Sequence, residues 1–208
     1  MNSTKWLVLL VTLALITRVG AALAIGADFH FADEAIYVDT ARRVSQGGGF
    51  GADYSQAPGY PVFLMLVSLG NLGSPGFLRL AQAVVVSMGA LSVFWLADCT
   101  FGRLTAIAAG LVYALDPLLA ISSGLLYPEA ISALVLPLAV LTVWLGATQD
   151  KLLRSALAGG LLGVLALLRP VALILPIVVA VWIALGTTLP PRRRLVHVAA
   201  VALAFLLV

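Results

Sequence analysis

The sequence predicts an all-α, polytopic transmembrane helical bundle, and three observations carry that prediction. Hydrophobic residues make up 62% of the 208-residue chain and charged residues only 10%, against about 25% charged in a typical soluble domain. Mean hydropathy is +1.10, so the chain lacks the polar groups to cover its own surface in water. Apolar runs close to the roughly 20 residues a helix needs to cross a bilayer recur along its length.

In order, the runs are residues 6–27 (interrupted by Arg18), 77–97, 104–126, 130–147, 156–168, 171–186 and 195–208, which gives about seven spans. The first run, with Lys5 before it and Ala22-Leu23-Ala24 near its end, has features of a secretory signal peptide. Arg18 and the later runs favour an uncleaved first helix. The last run reads as a span cut short. The expectation is therefore a single module over residues 1–208, truncated at the C-terminus.

Residues 62–69 are apolar but too short to span. Pro58, Gly59 and Pro61 precede them and Gly70, Gly73, Pro75 and Gly76 follow, which predicts an interfacial or re-entrant helix. Upstream, Ala35, Ile36, Val38, Ala41 and Val44 form a rough helical stripe ended by Gly47, Gly48 and Gly49. That pattern predicts a short amphipathic helix lying on the membrane. Both fall in the one sizeable polar segment, about 28–76.

With a cytoplasmic N-terminus, Lys5, Arg103, Lys151, Arg154, Arg192, Arg193 and Arg194 lie inside, a modest excess over Arg18, Arg42, Arg43, Arg79 and Arg169 outside. The acids divide more sharply. Asp28, Asp33, Glu34, Asp39, Asp53, Asp116 and Glu129 fall outside, and only Asp98 and Asp150 inside. The positive-inside rule does not produce that bias. The net charge of +3 fits basic inner loops better than a nucleic-acid partner. Cys99 stands alone, and His30 and His197 form no zinc pattern. P-loop, dinucleotide, HExxH and serine-elbow motifs are absent from the sequence.

Three constellations can carry chemistry. Asp33 and Glu34 open the first loop helix, where the helix dipole favours negative charge. They read as a cap (Asp33) and a first-turn acid (Glu34), as a general base for an acceptor hydroxyl, or as a candidate seat for a divalent metal ion. Tyr127-Pro128-Glu129 places an acid at the start of a span, as a helix-start residue or as a functional group. Arg79 and Arg169 each sit at an outer span boundary, suited to snorkelling or to holding a phosphate by paired hydrogen bonds. Asp116-Pro117 reads as a break in the third span, and Asp28, Asp39 and Asp53 as solvated loop residues.

Taken in order, these pieces resemble the N-terminal half of a GT-C superfamily glycosyltransferase, closest to the protein O-mannosyltransferase and aminoarabinose transferase-like family. The likeness rests on Asp33-Glu34 with Tyr37 and Ala41-Arg42, on Ala57-Pro58-Gly59-Tyr60-Pro61, and on Arg79-Leu80-Ala81-Gln82. It continues with Phe101-Gly102-Arg103, Asp116-Pro117, Leu126-Tyr127-Pro128-Glu129 and Leu167-Leu168-Arg169-Pro170. The resemblance implies a polyprenyl-phosphate-linked sugar as donor and transfer to a glycan, lipid or protein acceptor on the outer, periplasmic or external face of the inner membrane. It implies Asp33 as base with Glu34 beside it, Glu129 as a second outer acid, and Tyr37, Tyr60 and Tyr127 at the substrate. Members of the family are usually more than twice this long. A non-catalytic membrane subunit of the same fold, or a transporter or flippase fragment, is the alternative.

Overall fold

A computed structural model describes residues 3–51 and 56–208. Asp53 lies outside the described residues. Every regular element among the described residues is helical. Among the described residues, three helices are long and apolar enough to cross a membrane, four if one bent pair counts as a single span. The chain divides into two compact units, 1–134 and 135–208.

The first unit opens with α1 (Ser3–Ile25), whose charged residues are Lys5 near its start and the buried Arg18. Gly26, in the left-handed region at φ 85°, turns the chain out of it. Two short helices follow, α2 (Ala32–Ser45) and α3 (Gly59–Val67), where the loop pattern predicts them, and they pack on each other. Ser74 caps α4 (Pro75–Ser87) by accepting the Phe77 N–H at 3.4 Å, and Pro75 occupies its first turn. Together with α5 (Gly89–Phe101) it makes one continuous 27-residue span, Pro75–Phe101.

The next span is broken. α6 (Arg103–Leu115) and α7 (Pro117–Gly124) meet at an angle of 46°. Pro117 has no N–H to give Tyr113 O, and the bend takes the Leu118 N–H away from Ala114 O. Asp116 caps the new start by accepting the Leu119 N–H at 2.9 Å. The orphaned carbonyls are met from α1. Arg18 Nη2 donates to Tyr113 O at 2.9 Å, and Thr17 Oγ1 donates to Ala114 O at 2.8 Å. The fully buried Arg18 guanidinium also lies 4.5 Å from the centre of the Tyr113 ring. What the sequence presents as an interruption of the first span is a plug for the broken one.

Small residues let these helices approach closely, as helices in lipid require. Leu10, Ala14, Ala90, Phe94, Ala106 and Tyr113 lie in one buried cluster. A Cβ on Gly110 would sit 2.5 Å from Leu10 Cδ1.

α8 (Pro128–Thr148) begins in the first unit. The second unit continues with α9 (Leu152–Leu168), a 3-10 turn at Pro170–Ile174, α10 (Leu175–Gly186) and α11 (Pro191–Leu206). Ser155, Gly159 and Gly163 recur every fourth residue of α9 and form a seam against α11. A Cβ at Gly159 would strike the Val201 carbonyl, and one at Gly163 would come within 2.7 Å of Val208 Cβ. Leu136, Ala139, Val143, Leu175 and Val178 line an apolar cavity of about 300 Å³ beside the stacked Trp144 and Trp182 rings.

Candidate functional site

The candidate residues of the 28–76 segment converge within the first unit, and a buried ion pair organises them. Glu34 and Arg79 are both fully buried, with Glu34 Oε1 2.9 Å from Arg79 Nη2. The same Oε1 accepts the Leu126 N–H at 2.9 Å, while Oε2 accepts those of His30 at 2.7 Å and Phe31 at 3.3 Å. Arg79 donates further to Gly26 O at 2.7 Å and Asp28 O at 2.8 Å. One pair thus ties the end of α1, the start of α2, the body of α4 and the turn before α8.

A second clasp lies beside it. The buried Tyr60 hydroxyl donates to Gln82 Oε1 at 2.6 Å, and Gln82 Nε2 donates to Ser123 O at 3.0 Å and Leu125 O at 2.7 Å. Arg79 and Gln82 are three residues apart on α4, so one helical face holds the 123–126 turn directly through Gln82 and, by way of Glu34, through Arg79.

Those clasps present an aromatic row. Tyr37 meets Tyr60 edge to face at 4.9 Å and Tyr127 at 6.3 Å, and Phe31 meets Tyr127 at 6.1 Å. Tyr60 and Tyr37 are the buried end, whereas Tyr127 is half-buried and Phe31 exposed. Asp33 is exposed in the first turn of α2, and Glu129 is exposed in the first turn of α8. Both bear on the same phenol. Burial first, then the charges of Asp33, Glu34 and Glu129, push the Tyr127 hydroxyl above its ordinary range. Burial with Glu34, Tyr37 and Glu129 raises Tyr60 well above its own. Burial works against ionisation of Glu34, but the Leu126 and His30 N–H groups and Arg79 outweigh it, and its carboxyl is held below the usual range.

This geometry separates residues that sequence alone groups together. Glu34, not Asp33, reaches back to the N–H groups ahead of α2, so the capping acid is Glu34. The reading of Asp33 and Glu34 as a shared metal seat does not fit. Adjacent helical residues diverge, and Glu34 turns both oxygens inward onto four N–H donors while Asp33 faces outward. Among the described residues no group of three or more His, Cys, Asp or Glu converges. Arg79 as a phosphate ligand does not fit either, because both terminal nitrogens are engaged inside the protein. Arg169 belongs to the second unit. It is exposed at the end of α9, and its N–H donates to Leu165 O at 2.8 Å. Gln82 appears in the sequence only as part of a motif, and no local signal marks it as the grip on the 123–126 turn.

Comparison with known proteins finds no matching family model, no matching curated protein and no matching solved structure.

Proposed function

We propose that the chain is a GT-C-like glycosyltransferase module that transfers a sugar from a polyprenyl-phosphate donor to an acceptor on the outer face of the inner membrane. The observation that carries this reading is that two exposed carboxylates, Asp33 and Glu129, both act on the Tyr127 hydroxyl, which is held beside the Glu34–Arg79 and Tyr60–Gln82 clasps. The finer architecture in this reading is a bundle of about seven spans with the N-terminus cytoplasmic. The shorter apolar helices α9 and α10, with α11, supply the spans beyond the four that length and composition support.

In this reading Asp33 takes the proton of the acceptor hydroxyl as that oxygen bonds to the anomeric carbon. The bond from that carbon to the phosphate oxygen breaks, and the electron pair leaves on a phosphate that is already a stable anion. No general acid is needed. Base catalysis of this kind contributes about 10²–10⁴-fold. Phe31 and Tyr127 offer aromatic faces to the sugar, and Glu129 accepts its hydroxyls. Glu34 and Arg79 are positioning residues that hold Asp33 and Tyr127 in place.

The test is transfer from a synthetic polyprenyl-phosphate sugar by the purified chain in lipid nanodiscs, comparing wild type with Asp33→Asn and Glu129→Gln. Asp33→Asn loses at least 10²-fold in turnover, in line with the contribution of a positioned base, and melts as wild type does. Wild-type turnover by that variant removes Asp33 as the base.

A further inference from the structure

The start of α11 carries three consecutive arginines, Arg192, Arg193 and Arg194, and the proposed transfer uses none of them. α10, which packs against α11, carries no charged residue. Beyond Arg194 the only polar side chain up to Val208 is the buried His197. Charge is therefore confined to one end of this helix pair, and the rest of it is apolar.

A groove of about 500 Å³ runs between the two helices. Ala180, Val181 and Ala184 of α10 form one wall and Leu195 and Val198 of α11 the other, with Arg194 at the charged end. Val181 and Leu195 are exposed, so the apolar walls reach the surface. The cavity beside Trp144 and Trp182, by contrast, is lined by no charged residue and offers a headgroup nothing to hold.

We propose that, with α10 and α11 in the bilayer, this groove seats one acyl chain of an anionic phospholipid whose phosphate is held by Arg192 and Arg194. The site is independent of the transfer reaction. Arg194 donates through Nε to Leu189 O at 2.7 Å, through Nη1 to Ala184 O at 2.7 Å and through Nη2 to Thr187 O at 2.8 Å. Those bonds satisfy carbonyls at the end of α10 and would by themselves make Arg194 a cap. They also leave one N–H on each terminal nitrogen, since a guanidinium has five. The group is thus fixed at the end of the groove with two donors still to give, the paired form that suits a phosphate.

The local charges favour an anion. Asp150 is the only acid in the second unit, and it is already engaged. Its Oδ2 pairs with Arg193 at 3.4 Å. Its Oδ1 lies 2.9 Å from Nε2 of His197, whose Nδ1 lies 2.7 Å from Ser155 Oγ. Arg192 is exposed, and among the described residues its side chain meets neither a carboxylate nor a carbonyl. Arg192 and Arg194 are thus the cations of this end that no acid of the unit balances. An acidic lipid supplies both missing halves, an anion for the arginines and a hydrocarbon chain for the walls. An apolar helix in the groove would cover the walls but leave both arginines without a counter-ion. Each Lys or Arg at a membrane surface is worth about fivefold in attraction to anionic lipid, and the groove gives that attraction a place for a single molecule.

The test is native mass spectrometry of the full chain released from detergent micelles, titrated with phosphatidylglycerol and with phosphatidylcholine of the same acyl chains. One phosphatidylglycerol should be retained about 25-fold more tightly than phosphatidylcholine, from two arginines at about fivefold each. Arg192→Gln should lower that preference about fivefold. Ala180→Phe fills the groove without touching an arginine and should abolish the single retained lipid, and Val198→Phe should do the same from the facing wall. Equal retention of the two lipids overturns the proposal, as does wild-type retention in both filled variants. Tighter retention of a polyprenyl phosphate than of phosphatidylglycerol overturns the assignment to a phospholipid. Extraction of the chain from membranes by alkali overturns the placement of α10 and α11 in the bilayer, and the site with it.

Discussion

Replacing Glu34 by glutamine exchanges one oxygen for an NH2 group and should be among the most damaging substitutions in the first unit. The Glu34 carboxylate accepts from Arg79 and Leu126 through one oxygen and from His30 and Phe31 through the other. Glutamine keeps the shape but has one acceptor and one NH2. Whichever way the amide turns, its donors face one of those two pairs of donors. Two buried N–H groups lose their acceptor, at about 1–3 kcal/mol each, and Arg79 is left buried without its anion. The expected loss is about 3–5 kcal/mol, the range for breaking a buried pair from one side. Removing both partners, as in Glu34→Leu with Arg79→Leu, should not recover it. The Gly26 and Asp28 carbonyls and three backbone N–H groups would still be unpaired. Equilibrium unfolding in mixed micelles measures these differences, with Asp33→Asn as a control expected within about 0.5 kcal/mol of wild type. A Glu34→Gln protein within about 1 kcal/mol of wild type would refute the assignment of Glu34 to the clasp, because a lost hydrogen bond to a charged group alone exceeds that.

The same carboxylate sets an acid limit. Its folded pKa is lowered, so its contribution is complete above the unfolded value, near 4.3 for glutamate, and is lost as pH falls through the folded one. Unfolding midpoints should be insensitive to this group from pH 7 to 5 and fall below that, and Glu34→Gln should flatten the fall. Arg18→Met uncovers the Tyr113 carbonyl at the α6–α7 break, at about 1–3 kcal/mol. Adding Thr17→Val should cost more than the two separate losses combined, as double-mutant unfolding would show, because the two side chains share Ala114 O. Gly159→Leu should force α9 and α11 apart and lower the melting temperature, while Gly160→Leu, which has open space, should leave it nearly unchanged.

Much of the framework was legible because it is local. Continuous apolar runs marked the three spans, four with the bent pair, that are long enough to cross a membrane among the described residues, out of the seven expected. The Pro and Gly residues around 59–67 bounded the short α3, and Asp116-Pro117 marked the break that the structure shows as a 46° bend. The face of α2 was not legible. The apolar stripe in the sequence included Ile36, which is exposed, while the buried stripe runs through Glu34, Tyr37, Val38 and Ala41. An acid joins a buried stripe only when a cation meets it, and Arg79 lies 45 residues away. The Ser155–His197–Asp150 cluster was invisible for the same reason, its contacts spanning 42 and 47 residues. Arg18 could be read only as an interruption while its carbonyl partners were unknown.

Those partners bear on how the protein is made. Tyr113 follows Arg18 by 95 residues, so α1 leaves the ribosome long before anything exists to neutralise its cation. An arginine at the centre of a span costs about 2.5–3.5 kcal/mol on insertion scales, and one nearer the end costs less. The first helix should therefore remain loosely held at the translocon until the broken span arrives. Chains stalled before residue 113 should then be extracted by alkali, and chains stalled well after 124 should resist it. The order of synthesis and the order of membrane commitment would differ, with the third apolar crossing settling the first.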